Sequence, residues 1–340
     1  MIETRVICTH CSSKREQNEI LCRNCGSPFI IDVEGSYEEK LSNNFPYVSR
    51  FIFEPARYTP ISELEKNLVV KEEYLHPTLS YKDRGMNVLF SYLAGKGVVS
   101  RGMEVSEDSS GNAGASFAFF SNLAGLKSTV YVSSTSNRKK LEQIRRYGSS
   151  INEVTGNRKD VENAAINSGK MYLGHQYWPE FTDGFRSISY EIADQLEHIP
   201  DMVYIPFSTG TLYTGIYLGF WHLFRSGRIG RIPKLIAVLP EVAAGMHNFM
   251  LGKENNPGKS IADALTGMIP IRHEFLRKVI LEHGSTQTVT EDEIISARNE
   301  LLRKGYDVEY SSAVSYAGYK KKHEGKCLLI LTGHGIKNIS

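Results

Sequence analysis

Beyond residue 66 the chain repeats one pattern, a short apolar run rich in β-branched residues followed by a stretch of helical character. Leu68-Val69-Val70 precedes a helix expected over about 83–96, and Thr129-Val130-Tyr131-Val132 precedes one over 137–147. Met202-Val203-Tyr204-Ile205 leads into a helix near 213–224, and Leu235-Ile236-Ala237-Val238-Leu239 and Leu328-Leu329-Ile330-Leu331 complete the series. Strands joined by helical crossovers lie parallel and buried, so the pattern predicts an open α/β sheet with helices on both faces. Ligands of such sheets bind where loops leave the carboxyl ends of the strands. Functional residues are therefore expected in strand-to-helix loops.

At 340 residues the chain has room for about two domains. Its 41% hydrophobic and 23% charged residues exclude a disordered chain, a collagen-like repeat and a coiled coil. Lys plus Arg is 40 against 38 for Asp plus Glu, a net charge of +2 that gives no field for nucleic acid. No apolar run approaches the roughly 18 residues a membrane span needs, and no leader-like stretch precedes Cys8. A cytoplasmic, reducing location is expected, where cysteines serve as metal ligands or buried thiols rather than disulfides.

Four of the five cysteines fall together, as Cys8-Thr9-His10-Cys11 and Cys22-Arg23-Asn24-Cys25, with Gly26 able to make the tight turn after the second pair. Two C-x2-C pairs place four thiolates around one tetrahedral zinc, with no open position and hence a structural role. The alternatives are a mobile tail of unligated thiols, or His10 in place of one cysteine. A connector with Pro46, Pro55 and Pro60 follows over 32–66. The basic runs 138–140 and 320–322 read as solvated helix faces.

Three strand-to-helix loops carry unusual residues. In His76-Pro77-Thr78-Leu79-Ser80-Tyr81-Lys82-Asp83-Arg84-Gly85, Lys82 falls at a helix start, where the positive end of the dipole disfavours a cation. A free amine there could attack a carbonyl; equally, Ser80 or Asp83 could cap the helix with Lys82 and Arg84 in solvent. Ser109-Ser110-Gly111-Asn112-Ala113-Gly114 opens an apolar helix and could present backbone N–H groups to a carboxylate, or be a flexible connector. Ser208-Thr209-Gly210-Thr211-Leu212 opens another and suits a phosphate. It lacks the Walker lysine, and there is no G-x-G-x-x-G, which points to a small phosphate ligand rather than a nucleotide.

Together with Leu331-Thr332-Gly333-His334-Gly335-Ile336-Lys337, these loops resemble threonine synthase, one of the pyridoxal-phosphate enzymes of the tryptophan synthase β-subunit type. Asp183-Gly184-Phe185-Arg186-Ser187 and Glu309-Tyr310-Ser311-Ser312-Ala313 extend the resemblance over most of the chain. It implies fold type II, with a zinc-ribbon-like segment at 1–35, a larger cofactor-binding α/β domain at 36–100 and 196–340, and a smaller α/β domain at 101–195. It further implies that Lys82 joins pyridoxal 5′-phosphate covalently and then moves the proton, that Asn112 bonds the ring oxygen, and that Ser208, Thr209, Gly210, Thr211 and Leu212 hold the phosphate. Thr332 would meet the ring nitrogen. Ser109, Ser110 and Ala113 would lie at the substrate carboxylate, and Arg186 and Ser187 at the substrate's own phosphate. Cys8, Cys11, Cys22 and Cys25 would match the ribbon several threonine synthases carry. A homodimer acting on a small amino-acid substrate, without nucleic acid or membrane partners, is also implied.

The chain departs from the family at His76, where Asn is usual, at Leu79, where Gly is usual, at Tyr310 in place of Pro, and in a less Gly-rich phosphate loop. The activity expected is conversion of O-phospho-L-homoserine and water to L-threonine and phosphate. The alternative is β-replacement on O-phosphoserine or another activated amino acid, as in cysteate or cysteine synthases. An adaptor built on an inactive scaffold is a third reading, opposed by the presence of Lys82, Asn112 and Thr332.

Overall fold

The computed structural model describes residues 2–53 and 58–338; Pro55 of the connector lies outside them, as does the side chain of Lys337. The N-terminus is an antiparallel hairpin of β1 (Glu3–Cys8) and β2 (Phe29–Glu34), whose long loop contains three of the four clustered cysteines. Then come β3 (Ile61–Glu65), β4 (Leu68–Lys71) and α1 (Lys82–Gly95).

The next units are β5 (Glu104–Glu107), α2 (Asn112–Leu123), β6 (Lys127–Ser133), α3 (Arg138–Arg146), β7 (Ser150–Val154), α4 (Arg158–Ile166) and β8 (Met171–Tyr172). They form a four-stranded parallel sheet in the order β7-β6-β5-β8. On α3 only Leu141 and Ile144 are buried; Arg138 and Lys139 face solvent as the charge pattern predicts, while Lys140 does not, its largely covered side chain pairing with Asp263. The helix α4 starts at a capping box made by Asn157 and Asp160.

The chain then returns through α5 (Pro179–Gly184) and α6 (Arg186–Gln195) to β9 (Met202–Pro206), α7 (Thr211–Arg225), β10 (Lys234–Pro240), α8 (Gly245–Met250) and α9 (His273–His283). It ends with β11 (Gly284–Val289), α10 (Glu291–Arg303), α11 (Tyr310–Lys321) and β12 (Cys327–Ile330). The larger sheet runs β11-β10-β9-β12-β4-β3 and is parallel except for β3 at its edge. Every residue of β9 and β12 is buried, the mark of central strands covered on both faces. One core, including Phe90, Phe117, Phe181 and Ile205, is continuous between the two sheets; a second, under α10 and α11, covers the opposite face of the larger one.

The runs singled out in the sequence become β4, β6, β9, β10 and β12, and the expected helices become α1, α3 and α7 within a residue or two, with α2 the apolar helix that the Ser109–Gly114 loop opens; the remaining elements are not marked by that alternation. The carboxyl ends of β4, β9 and β12 lie side by side, so the loops at 72–81, 207–210 and 331–334 meet on one edge of the larger sheet. Among the described residues no helix is long and apolar enough to cross a membrane.

Candidate active site

Lys82 is the first residue of α1, and the loop before it is closed from three sides. The Asp83 carboxylate accepts from the Thr78 amide at 2.8 Å and the Thr78 hydroxyl at 2.5 Å. The loop is zipped to the strand end opposite: the Tyr81 amide donates to the Thr332 carbonyl, and the His334 amide to the Leu79 carbonyl. Leu79, where the resemblance expects Gly, holds a left-handed φ of +63°. Beneath, Arg84 is not in solvent but buried, bonded to Glu73 at 2.6 and 2.8 Å and to Glu191 at 2.6 and 2.8 Å, while Lys71 takes Glu191 at 2.6 Å. Burial works against these charges, yet Arg84 and His76 hold the Glu73 carboxyl well below the usual range. The knot ties β4, α1 and α6 together and fixes the helix start from which Lys82 projects. Half-buried, the Lys82 Nζ lies 4.9 Å from the Tyr81 ring and 5.4 Å from the Phe181 ring, and it makes no ion pair among the described residues.

Asn112 opens α2, and its amide nitrogen donates to both oxygens of Glu309 at 3.0 and 3.2 Å. The Glu309 amide in turn donates to the Gly333 carbonyl, so Asn112, Glu309 and Thr332 belong to the same cluster as the Lys82 loop. Gly114 is required here, since a Cβ would strike the Ser109 carbonyl. No side chain caps α2, which leaves its first-turn N–H groups, beside half-buried Ser109 and Ser110 and buried Ala113, open to an anion.

The turn after β9 has the same design. Gly210, at φ +76°, is the N-cap of α7, with no side-chain cap; a Cβ there would strike Leu276. Ser208 accepts from the Thr266 amide, and the Thr209 and Thr211 hydroxyls lie 3.3 Å apart. Leu212 is buried in the core behind them.

From the smaller sheet, Glu107 bonds His175 Nδ1 at 2.7 Å. Burial pushes the Glu107 carboxyl up to about 8, and burial, then the charge of Lys82, holds His175 well below its ordinary value. Both are neutral near pH 7, and His175 lies within the field of Lys82. Sequence reasoning missed this pair, which no motif announces.

Arg186 requires a correction. Arg186 is fully buried, held by Asp183 at 2.6 Å, the Tyr190 hydroxyl at 2.8 Å and the Asn44 carbonyl at 3.1 Å, with Phe45 against its guanidinium. Ser187 donates to the Gly184 carbonyl and accepts from Arg84. Arg186 is thereby committed to packing α5 and α6, whereas Ser187 lies beside Arg84 and lines a small cavity with His76, Pro77 and Asp83.

The Sγ atoms of Cys8, Cys11, Cys22 and Cys25 all lie within 4.8 Å of one another, with separations of 3.4, 3.5 and 3.6 Å among them. Tetrahedral Zn–S bonds near 2.3 Å would set them about 3.8 Å apart, so the donor set fits zinc.

Residues 52–333 match the family described as pyridoxal-phosphate dependent enzymes. The chain belongs to that family. Among curated relatives it is similar to a threonine synthase from Methanosarcina acetivorans, 27% identical over 97% of this chain and 91% of that protein. A threonine synthase from Methanocaldococcus jannaschii is 31% identical over 82% of this chain and 73% of that protein. Solved structures share the fold: maize serine racemase at a TM-score of 0.73, 20% identity and coverage of 89% and 94%, and a pyridoxal 5′-phosphate-dependent aspartate racemase at 0.71, 22% identity and coverage of 88% and 95%. The chain's own residues fit the family's cofactor. Lys82 makes no ion pair, the starts of α2 and α7 have no side-chain cap, and the Ser80 hydroxyl two residues before Lys82 is fully buried with no partner among the described residues.

Proposed function

We propose that this chain is a threonine synthase, converting O-phospho-L-homoserine and water to L-threonine and phosphate with pyridoxal 5′-phosphate bound. The observation that carries the reading is the meeting of the Lys82 loop, Thr332 and the Ser208–Leu212 turn on one edge of the larger sheet, which Asn112 reaches from the smaller sheet through Glu309, in a chain whose curated relatives bear that name. No observation favours β-replacement on O-phosphoserine.

The cofactor supplies electron withdrawal that makes the substrate's α proton removable. Lys82 would hold the cofactor through its amine and would carry protons to and from the substrate's carbons. Uncapped N–H groups at the start of α7, with the Thr209 and Thr211 hydroxyls, hold the cofactor's phosphate. Asn112, aligned by Glu309, serves the ring oxygen, and the Thr332 hydroxyl serves the ring nitrogen. A neutral hydroxyl there does not force a proton onto the ring, which suits elimination and replacement better than transamination. Ser109, Ser110 and the α2 amides, packed on Ala113, take the substrate carboxylate.

Residues 101–195 form the smaller domain and 36–100 with 196–340 the larger one in this reading. Cys8, Cys11, Cys22 and Cys25 hold a structural zinc in the ribbon of residues 1–35. None of the five cysteines forms a disulfide, which supports a reducing, cytoplasmic setting, and a homodimer follows from the resemblance alone.

The test is an absorption titration with pyridoxal 5′-phosphate, then O-phosphohomoserine. Threonine and phosphate should appear in equal amounts, and borohydride should attach the cofactor to Lys82. Lys82→Ala should cut threonine formation at least about a thousandfold. Phosphate release without threonine would sink the assignment. Metal analysis should find one zinc per chain, lost in Cys22→Ser.

A further inference from the structure

Arg272 precedes the first turn of α9 and is 1% exposed, yet its Nε, Nη1 and Nη2 have no hydrogen-bond partner among the described residues. Buried arginines are as a rule paired, because an uncompensated charge inside a protein is costly. The others here obey: Arg84 is gripped by Glu73 and Glu191, and Arg186 by Asp183. Burial pulls Arg272 down to about 10, which leaves it a cation at neutral pH.

Its surroundings place it in the active-site cleft. One turn along α9, Leu276 packs against Gly210, so the start of the helix lies beside the Ser208–Thr211 turn. The segment leading to it is pinned to the same turn through the Thr266 amide and Ser208. Across the cleft, the charge of Arg272 bears on His175 together with that of Lys82.

We propose that Arg272 binds the phosphate of the phosphorylated amino-acid substrate, the group that leaves. This rests on the threonine synthase reading. The uncapped amides and two threonine hydroxyls of the Ser208–Thr211 turn are the donors assigned above to the cofactor's phosphate. A second phosphate enters a cleft that already contains Glu309, and it needs a cation of its own. Lys82 is committed to the cofactor and Arg186 to Asp183; Arg272 is uncommitted. A guanidinium can bond two phosphate oxygens at once, and it stays paired with the group as the Cγ–O bond breaks and its electron pair departs with the phosphate.

The test compares wild type with Arg272→Met and Arg272→Lys, each loaded with pyridoxal 5′-phosphate. In Arg272→Met the cofactor's affinity should stay within about threefold, while the dissociation constant of O-phosphohomoserine, read from the spectral change, rises about 100-fold. That of L-threonine, which has no phosphate, should not move. Arg272→Lys should fall between. Because Arg272→Met removes an unpaired buried charge, the variant without cofactor or phosphate should melt about 3 °C higher than wild type, or more, the opposite of losing a structural contact. Unchanged affinity for O-phosphohomoserine overturns the proposal. So does a fall in affinity for pyridoxal 5′-phosphate that spares pyridoxal, since that assigns Arg272 to the cofactor's phosphate. Should the wild type bind cofactor but ignore O-phosphohomoserine, the threonine synthase reading fails separately. Inorganic phosphate then decides the anion site: it should raise the melting temperature of the loaded wild type and not of Arg272→Met, and an equal effect on both overturns the site.

Discussion

Two buried cationic regions of this molecule are built on opposite terms. Behind Lys82, Arg84 and Lys71 are met by Glu73 and Glu191, with Thr59 and His76 taking further positions. At the start of α9, Arg272 is equally buried and met by nothing among the described residues. A charge that is fully paired holds elements in place; a charge left unpaired is held ready for a ligand and costs stability until one arrives. The contrast separates the arginines that build the site from the one that serves it, although composition cannot tell them apart.

The sharpest way to break the contrast is Arg84→Met. It leaves the Glu73 carboxylate without its main partner and Glu191 with Lys71 alone, so urea unfolding should show a loss of about 3–5 kcal/mol, with cofactor uptake falling as the Lys82 helix start loosens. Stability equal to wild type would mean that the knot is no more than a set of exchangeable contacts. Set beside the stabilisation expected of Arg272→Met, the two changes should have opposite signs.

A smaller effect concerns the neutral pair at the edge of the same cleft. The Glu107 carboxyl, pushed up by burial to about 8, keeps its proton in the folded chain, while the unfolded chain loses it near the ordinary 4.5. The stability it contributes is therefore full at acid pH and falls as pH rises from about 4.5 through 8. His175, whose folded value is depressed, acts in the other direction, losing stability as pH falls below about 6.5. Glu107→Gln should flatten the alkaline decline by on the order of 1 kcal/mol or more and leave the acid limb, as melting temperature against pH would show. An unchanged decline would place the titration elsewhere.

The smallest effect tests strain within the paired region. Leu79 holds a left-handed backbone that Gly adopts freely, so Leu79→Gly should be better tolerated than Leu79→Ala by about 1 kcal/mol in chemical denaturation. Equal losses would mean that the loop relaxes around the substitution.

Much of this was legible before any coordinates. Five of the strands with the helices that follow several of them, the thiol pairs and the three loops follow from local patterns, and Lys82 stands out because a cation at a helix start opposes the dipole. The same criterion applied to Arg272 would have found it, but its loop carries no motif to direct attention there. Arg84 and Arg186 were misread for a different reason. Glu191 and the Asn44 carbonyl lie 107 and 142 positions from them, beyond any local pattern, although Asp183, the ion-pair partner of Arg186, is only three residues away.

The sequence by itself determined the central strands β4, β6, β9, β10 and β12, the helices that follow several of them, and which amine stands at a helix start, because periodicity and capping act within a few residues. Only the tertiary structure decided which buried charges are paired. Pairing depends on neighbours that folding brings from distant parts of the chain, and on how completely water is removed around them.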